Sequence, residues 1–370
     1  MELEDVSCSH SNGTALNKPS QDRAEENNAA TIPEHFDSKN PFEGRTTRLT
    51  DDLWIYVSIL TFIADIGSDL LVCIKYYRER NLWWFSVTLG FVIVSSLAMQ
   101  LFSAKWLLED ERRQHCFTYL LHVFHLGPVL RYWNVLKSGW KARQKNATIL
   151  EFASFLGEWR DISMLRLLQA FLESAPQLVL QLYILLQRPR FELKQDWLIV
   201  VTAACSLVSL MWAILAYSKS LRDFRKQGYV LSVAGLCFQI LWRISMVTSR
   251  VVAMVLFASY FKQWLFVAVG AHWIIMTMWL ICQRTRFCTD EDGKEHPYRE
   301  KLFSAVIGFI YIFCFFNTRE GMTRKRVVLF YSIILVENSL FVSMWYPHRT
   351  FHGIMAVAAL GWCGEGSRLV

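Results

Sequence analysis

Long apolar stretches follow one another along this chain, and they constrain its fold more than any other feature. After a polar head, ten apolar runs occupy most of the remaining residues: 53–74, 82–102, 117–136, 163–186, 197–217, 230–260, 264–282, 302–316, 327–346 and 351–363. Most of them approach or exceed the roughly 20 residues with which a helix crosses about 30 Å of hydrocarbon. The sequence therefore predicts an all-α fold, a polytopic bundle of membrane helices over residues 53–363.

The composition excludes several other classes of protein. Hydrophobic residues make up 53% of the 370-residue chain and charged residues only 19%, too few to coat a soluble protein of this apolar content. No nucleotide-binding or hydrolase motif occurs, and no spacing of His and Cys matches a standard zinc site. We therefore expect no catalytic residues, no cofactor, no metal and no enzyme activity.

Charge is distributed unevenly between the head and the rest of the chain. Residues 1–52 hold five Lys and Arg against eleven Asp and Glu, a balance of −6, and show no apolar period. This head is predicted to be disordered and cytosolic. The remaining cations gather in short loops between apolar runs, chiefly 137–145, 219–226 and 319–326, which is typical of loops held at the cytosolic leaflet and does not suggest nucleic acid.

Two of the runs are poor candidates for complete spans. Run 117–136 is interrupted by His122, His125, Gly127-Pro128 and Arg131, and run 302–316 has only 15 residues. If both enter the membrane and return, about eight full spans and two re-entrant or half helices remain. The three basic loops and both termini then lie in the cytosol, although Lys75, Arg78 and Arg80 fall outside and depart from the rule.

The last run, 351–363, is also short, and residues 364–370 end the chain with Glu365 and Arg368. Thirteen helical residues cover only about 20 Å. We expect a truncated isoform or an incomplete gene model that is less stable than a chain with a complete final helix, and that is retained in the endoplasmic reticulum or poorly active.

Seven Asp, Glu and Arg side chains lie inside the apolar runs other than 117–136. They are Asp65, Asp69, Arg166, Glu173, Arg243, Arg250 and Glu337. Facing lipid, they would together cost on the order of 20 kcal/mol, so they are expected to face one another or water within the bundle. They act either as buried pairs that fix helix packing or as the lining of a polar path.

Helical spacing groups these side chains further. Asp65 and Asp69 are four residues apart and share one face of the first run, so we expect at least one of them to contact Arg166, Arg243 or Arg250. Pro176 should break the fourth run beside Glu173, either as a packing kink or as a broken helix that lines a cavity.

Two motifs resemble those of the XK-related (Kell-complex-related) membrane protein family. The first runs from Asp161 to Leu182 and contains Glu173-Ser174-Ala-Pro176-Gln177; the second runs from Asn317 to Arg324 and contains Glu320-Gly321. The resemblance extends over about residues 53–350. It implies eight spans plus two helices that enter without crossing.

The resemblance also implies a function. Several members of the family are energy-independent phospholipid scramblases that expose phosphatidylserine at the plasma membrane of apoptotic cells. On this reading the seven buried charges carry or support the lipid path, with membrane phospholipids as the partners. The alternative is a non-scrambling scaffold that docks a cytosolic lipid-transfer protein or a single-span chaperone through its basic loops.

Overall fold

The fold is all-helical, as the sequence predicts. A computed structural model describes residues 49–109, 116–124, 126–144, 146–188, 193–224, 233–283, 297–316 and 323–348. The helices in these ranges are α1 (Leu49–Arg78), α2 (Leu82–Glu109), α3 (Cys116–Val123), α4 (Gly127–Lys141), α5 (Ile149–Leu172), α6 (Ser174–Gln187), α7 (Leu193–Phe224), α8 (Val233–Phe261), α9 (Trp264–Gln283), α10 (Pro297–Tyr311) and α11 (Thr323–Trp345), followed by a 3₁₀ turn (Tyr346–His348).

Six of these helices are long and apolar enough to cross a membrane. They are α1, α2, α7, α8, α9 and α11. The fourth apolar run, predicted as one span, is divided between α5 and α6. The head through residue 48, the loop 317–322 and the end from residue 349 lie outside the described residues, and so does the short final run.

The first helix begins four residues before its apolar run. Asp51 and Asp52 lie in its first turn, where carboxylates interact favourably with the helix dipole. Asp51 pairs with Lys219 at 2.9 Å, and Asp52 pairs with Arg143. These contacts bring the start of α1 and the basic segments 137–145 and 219–226 to one end of the bundle. At its other end, Lys75 donates to the Gln195 carbonyl at 2.7 Å.

A break at Glu173 separates α5 from α6. Helix α5 begins with a capping box in which Thr148 and Glu151 satisfy each other's backbone amides. It ends at Leu172, and Pro176 lies in the first turn of α6. Proline lacks the amide that would bond the carbonyl four residues earlier, that of Leu172, and its ring crowds the same carbonyl. The helix therefore breaks at Glu173, three residues before the proline.

Helices α3 and α4 form the short pair that the interrupted third run predicts. A Cβ on Gly127 would overlap the end of the Gln100 side chain and approach a His122 ring carbon at 3.0 Å, so the glycine allows a close approach of α4 to α2 and α3. Arg131 of α4 is buried and donates to the Ser103 hydroxyl at 3.1 Å and to the Ser103 carbonyl at 3.0 Å. These bonds hold α4 against α2.

Helix α10 is short. Its 15 residues cover about 22 Å at ~1.5 Å each, less than the hydrocarbon thickness. It ends at Tyr311, five residues before the end of its apolar run at residue 316, and residues 312–315 continue as a buried turn. Irregular backbone at membrane depth is tolerated only where protein surrounds it and satisfies its polar groups.

The bundle packs around α7. This 32-residue helix contacts α1, α5 and α6, while α8 packs against α6 and α11 and α10 packs against α9. Buried apolar side chains form one large cluster that extends from α5 to α11 and a second cluster among α1, α2, α4, α5 and α7. Helices α5 and α7 contribute to both clusters, so they join the two sides of the protein.

Close packing between α9 and α10 generates a first prediction. A Cβ on Gly308 would overlap the Thr277 hydroxyl and lie 3.3 Å from the Thr277 Cα. Overpacking of this kind costs about 1–3 kcal/mol, so we expect Gly308→Ala to lower the melting midpoint of the purified protein by several degrees, at roughly 2–4 °C per kcal/mol. Adding Thr277→Ala should restore the midpoint, because the Thr277 hydroxyl has no hydrogen-bond partner among the described residues.

The matched control for this experiment is Gly270→Ala in α9. A Cβ at Gly270 meets nothing within 4 Å, and alanine favours helix by about 1 kcal/mol over glycine. Gly270→Ala should therefore leave the midpoint unchanged or raise it. An equal loss in both single variants would contradict the close packing of α9 on α10.

Candidate functional site

A row of buried polar side chains follows α5 and α6 along one side. We call it the buried polar ladder; its members are Arg166, Gln169, Glu173, Gln177 and Gln181. None of the five side chains is more than 3% exposed. Fifteen residues separate its ends, about 22 Å at ~1.5 Å per residue, which is most of the hydrocarbon thickness.

Glu173 lies at the centre of the ladder, at the break between α5 and α6. Its Oε2 accepts from the Ser95 hydroxyl of α2 at 2.5 Å and from the Gln169 amide at 2.9 Å. Gln169 in turn accepts from the Arg166 guanidinium. The positive and negative members of the ladder, Arg166 and Glu173, are thus connected through a glutamine amide.

Asp65 of α1 reaches the ladder through two serines. Its Oδ2 accepts from the Ser174 hydroxyl at 2.7 Å and from the Ser209 hydroxyl at 2.9 Å. Arg166 donates to the same Ser209 oxygen at 3.1 Å. Asp65 is therefore linked to the cation Arg166 indirectly, through the Ser209 hydroxyl. Within the described residues neither Asp65 nor Asp69 forms a direct ion pair.

Asp69 is the least satisfied group in this region. It is completely buried, and neither of its carboxylate oxygens has a hydrogen-bond partner among the described residues. Asp65 Oδ1 and Glu173 Oε1 are also without partners there. The three carboxyl groups lie close enough to interact electrostatically. Four acceptor oxygens on α1 and at the α5–α6 break are thus unoccupied by protein donors.

The ladder continues toward the end of the bundle that carries the segment 75–81. The Gln177 amide is 3.4 Å from the Thr88 carbonyl of α2, and Tyr76 of α1 donates to the Gln181 side chain at 2.9 Å. Helices α1, α2 and α7 therefore all supply partners to the ladder on α5 and α6.

A second cluster surrounds the end of α10. Arg250 of α8 is fully buried and donates to Glu337 at 2.8 Å, to Asn338 at 2.9 Å and to the Ile312 carbonyl at 3.0 Å. Arg243, two turns earlier on α8, donates to the Phe315 carbonyl at 3.2 Å. These cations satisfy carbonyls that the end of α10 leaves unbonded, and their charge suits its negative dipole.

His272 of α9 completes this second cluster. Its Nδ1 is 2.8 Å from Glu337 Oε1, and its Nε2 is 3.1 Å from the Tyr311 carbonyl oxygen. Sequence reasoning did not single out this residue. The available signal was an ionisable side chain in the middle of the seventh apolar run, the same signal that identified Glu337. We call Arg243, Arg250, His272, Glu337 and Asn338 the α10-end cluster.

The structure thus divides the seven predicted charged residues between two places. Asp65, Asp69, Arg166 and Glu173 lie in or beside the buried polar ladder, whereas Arg243, Arg250 and Glu337 lie in the α10-end cluster. No contact described here joins the two groups.

The motif residues also have different surroundings. Ser174 and Gln177 take part in the ladder, Pro176 lies in the first turn of α6, and Asp161 pairs with Arg160 at 3.0 Å where both are partly exposed. Arg324 is exposed at the start of α11. Glu320 and Gly321 lie outside the described residues.

The described part of the chain contains no group of three His, Cys, Asp or Glu side chains arranged to hold a metal ion. What both clusters can do chemically is to accept or donate hydrogen bonds and to balance charge.

The fold and the two clusters define a multi-pass α-helical membrane protein that encloses charged side chains within its bundle. The sequence model of the family described as XK-related protein matches residues 53–364. A protein named XK-related protein 8 from Tetraodon nigroviridis is 31% identical over 320 residues, which cover 81% of this chain and 74% of the relative. The protein of the same name from Pan troglodytes is 31% identical over 321 residues, 84% of this chain and 78% of the relative. The chain belongs to the XK-related protein family.

The serine between Arg166 and Asp65 generates a second prediction. We expect Ser209→Ala to lower the melting midpoint, because it removes one acceptor of a buried arginine and one donor to a buried carboxylate. Leaving such groups unpaired costs about 1–3 kcal/mol.

Ser206, on the same helix, provides a matched control. It is also completely buried, but its hydroxyl has no hydrogen-bond partner among the described residues, so Ser206→Ala should change stability by no more than about 0.5 kcal/mol. Thermal unfolding of both purified variants measures the difference. Equal midpoints would show that the Ser209 bridge contributes nothing to the fold.

Proposed function

We propose that this protein is an energy-independent phospholipid scramblase that moves phosphatidylserine across the plasma membrane, as expected from its resemblance to scrambling members of its family. The observation that carries the proposal is the buried polar ladder, which extends over most of the hydrocarbon thickness beside carboxylates of both α1 and α5. Charged groups at this depth are costly and usually mark a pathway for ions or polar substrates.

The chemistry of the ladder suits a phospholipid headgroup. The headgroup carries an anionic phosphate and, in the common phospholipids, an ammonium group. Arg166 offers a guanidinium to the phosphate. The unpartnered oxygens of Asp65, Asp69 and Glu173 offer acceptors to the ammonium. The lipid tails would stay in hydrocarbon, so lipid exchange needs no covalent step and no energy source.

The described conformation represents a closed state of this path. Every ladder side chain is buried, and Ser95, Ser174 and Ser209 occupy oxygens that a headgroup would contact. Lipid exchange then requires α1 and α2 to separate from α5 and α6, so that headgroup contacts replace the serine contacts. The break at Glu173 places this change where the backbone is already interrupted.

The proposal also includes the topology of the chain in the membrane. We place eight spans and two helices that do not cross, α10 and the α3–α4 pair, in the plasma membrane, with both termini in the cytosol. The pairs Asp51–Lys219 and Asp52–Arg143 support placing the head and two basic loops on the same side of the membrane. In this arrangement the protein acts in apoptotic exposure of phosphatidylserine, and a single-span chaperone or a cytosolic lipid-transfer protein is a candidate partner.

Liposomes that contain the purified protein test the proposal directly. Fluorescent phosphatidylserine in both leaflets is treated with a membrane-impermeant quencher, which reaches only the outer leaflet unless lipids exchange. We expect the quenched fraction to rise from about half toward completeness. Quenching equal to that of protein-free vesicles, under every activating condition tried, would leave the scaffold alternative, in which function depends on the basic loops.

A substitution of Asp69 distinguishes a role in the lipid path from a role in helix packing, and this is the third prediction. Because its oxygens accept no hydrogen bond from the described residues, Asp69→Asn should strand no donor and should keep expression and the melting midpoint at wild-type values. Loss of the carboxylate should nevertheless slow lipid exchange several-fold. Ser206→Ala is the control that should leave the exchange rate unchanged.

The outcomes for Asp69→Asn are distinct. Wild-type exchange by the folded variant would remove Asp69 from the path. Failure to fold would show that Asp69 acts through packing, as one of the buried groups that fix helix register.

A further inference from the structure

The two ring nitrogens of His272 face two hydrogen-bond acceptors. Nε2 is 3.1 Å from the Tyr311 carbonyl oxygen, which can only accept, so Nε2 must carry a hydrogen. Nδ1 is 2.8 Å from Glu337 Oε1. A neutral imidazole has one N–H and one lone pair, so it cannot donate to both partners. A neutral histidine beside a carboxylate would leave the contact between Nδ1 and Glu337 without a hydrogen. The geometry therefore requires one additional proton, on either His272 or Glu337.

Arg250 determines where this additional proton resides. Its guanidinium donates to the second oxygen of Glu337, Oε2, at 2.8 Å, which favours the ionised carboxylate. The proton then belongs to His272, as an imidazolium with both nitrogens donating. The resulting excess of one positive charge is close to the Tyr311 and Ile312 carbonyls at the negative end of α10, where a cation is stabilised.

The groups that face His272 come from three neighbouring helices. Arg250 comes from α8, Glu337 from α11, and Tyr311, whose phenol donates to the Phe316 carbonyl at 2.6 Å, from the end of α10. His272 is 2% exposed, whereas the Glu337 side chain is 25% exposed. The imidazole is therefore enclosed by protein, and Glu337 is the more exposed member of the pair.

We propose that His272 is a proton-dependent clamp that joins α9 to α11 and to the end of α10. With both nitrogens protonated it makes both bonds. When it loses a proton, one bond fails whichever tautomer forms, because a ring lone pair then faces either the Glu337 carboxylate or the Tyr311 carbonyl. Since the second N–H requires a bound proton, the clamp stabilises the fold at low pH, and one of its bonds is lost at high pH. The clamp does not depend on the proposed lipid exchange.

Thermal unfolding of the purified full chain in detergent tests the clamp. The melting midpoint is measured between about pH 6 and about pH 8.5 for the wild type and for His272→Asn. The asparagine amide can donate to Glu337 at every pH in this range. Other titrating groups contribute equally to both proteins, so we expect the midpoint of the wild type to fall about 2–4 °C further than that of the variant.

A second histidine provides the matched control. His348 is exposed at the end of the 3₁₀ turn and packs on the Tyr260 ring at 4.0 Å, away from Glu337. His348→Asn should keep the pH dependence of the wild type. If His272→Asn shows the same pH dependence as the wild type, the clamp is wrong.

A spectroscopic measurement decides the same point if His272→Asn does not fold. In wild-type protein with ¹⁵N in its histidine rings, one of the nine imidazoles should have both nitrogens protonated near pH 7.5, at which an ordinary histidine is mostly neutral. Nine neutral rings at this pH would overturn the proposal. Neither readout involves lipid transport, so failure of the clamp is distinguishable from failure of the proposed scramblase activity.

Discussion

Hydrocarbon supplies no hydrogen-bond partners, and the interior of this protein is organised by the need to find them within the chain. Arg250 illustrates the consequence most fully. One guanidinium balances Glu337, binds Asn338 and takes the Ile312 carbonyl, so the same side chain neutralises a buried charge and completes the end of a short helix. Helix α10 can end inside the bundle because α8 and α9 bring hydrogen-bond donors to its last carbonyls.

The two clusters use their hydrogen-bonding capacity differently. In the α10-end cluster, Arg250 and His272 direct donors to protein acceptors, and this suits a structure that holds helices together. Beside the buried polar ladder, Asp69 and one oxygen each of Asp65 and Glu173 have no donor among the described residues. Unoccupied acceptors suit a transient partner. The unoccupied carboxylate oxygens, more than the presence of charge, support the proposed lipid path along α5 and α6.

The break at Glu173 links the sequence to this division of roles. Pro176 forces α5 to end at Leu172, and the interruption places Glu173 and Ser174 where α1 and α2 can bond to them. Breaking a helix in the membrane is tolerable here because α2 and α7 cover the break. The helix break therefore lies beside the carboxyl groups of Asp65 and Asp69.

By itself, the sequence determined the all-helical membrane class, the positions of the apolar helices and the charges that had to lie inside, because run length and the cost of burying charge are local properties. The helix break could also be predicted from the sequence, because Pro176 acts on a carbonyl only four residues away. Only the tertiary structure decided which side chains pair. Ser209 lies between Arg166 and Asp65, where a direct ion pair was expected. The role of His272 is visible only from the positions of Glu337 and Tyr311 beside its two ring nitrogens. Helical periodicity tells which face a side chain occupies, but the helix that packs against that face is chosen by contacts distant in sequence.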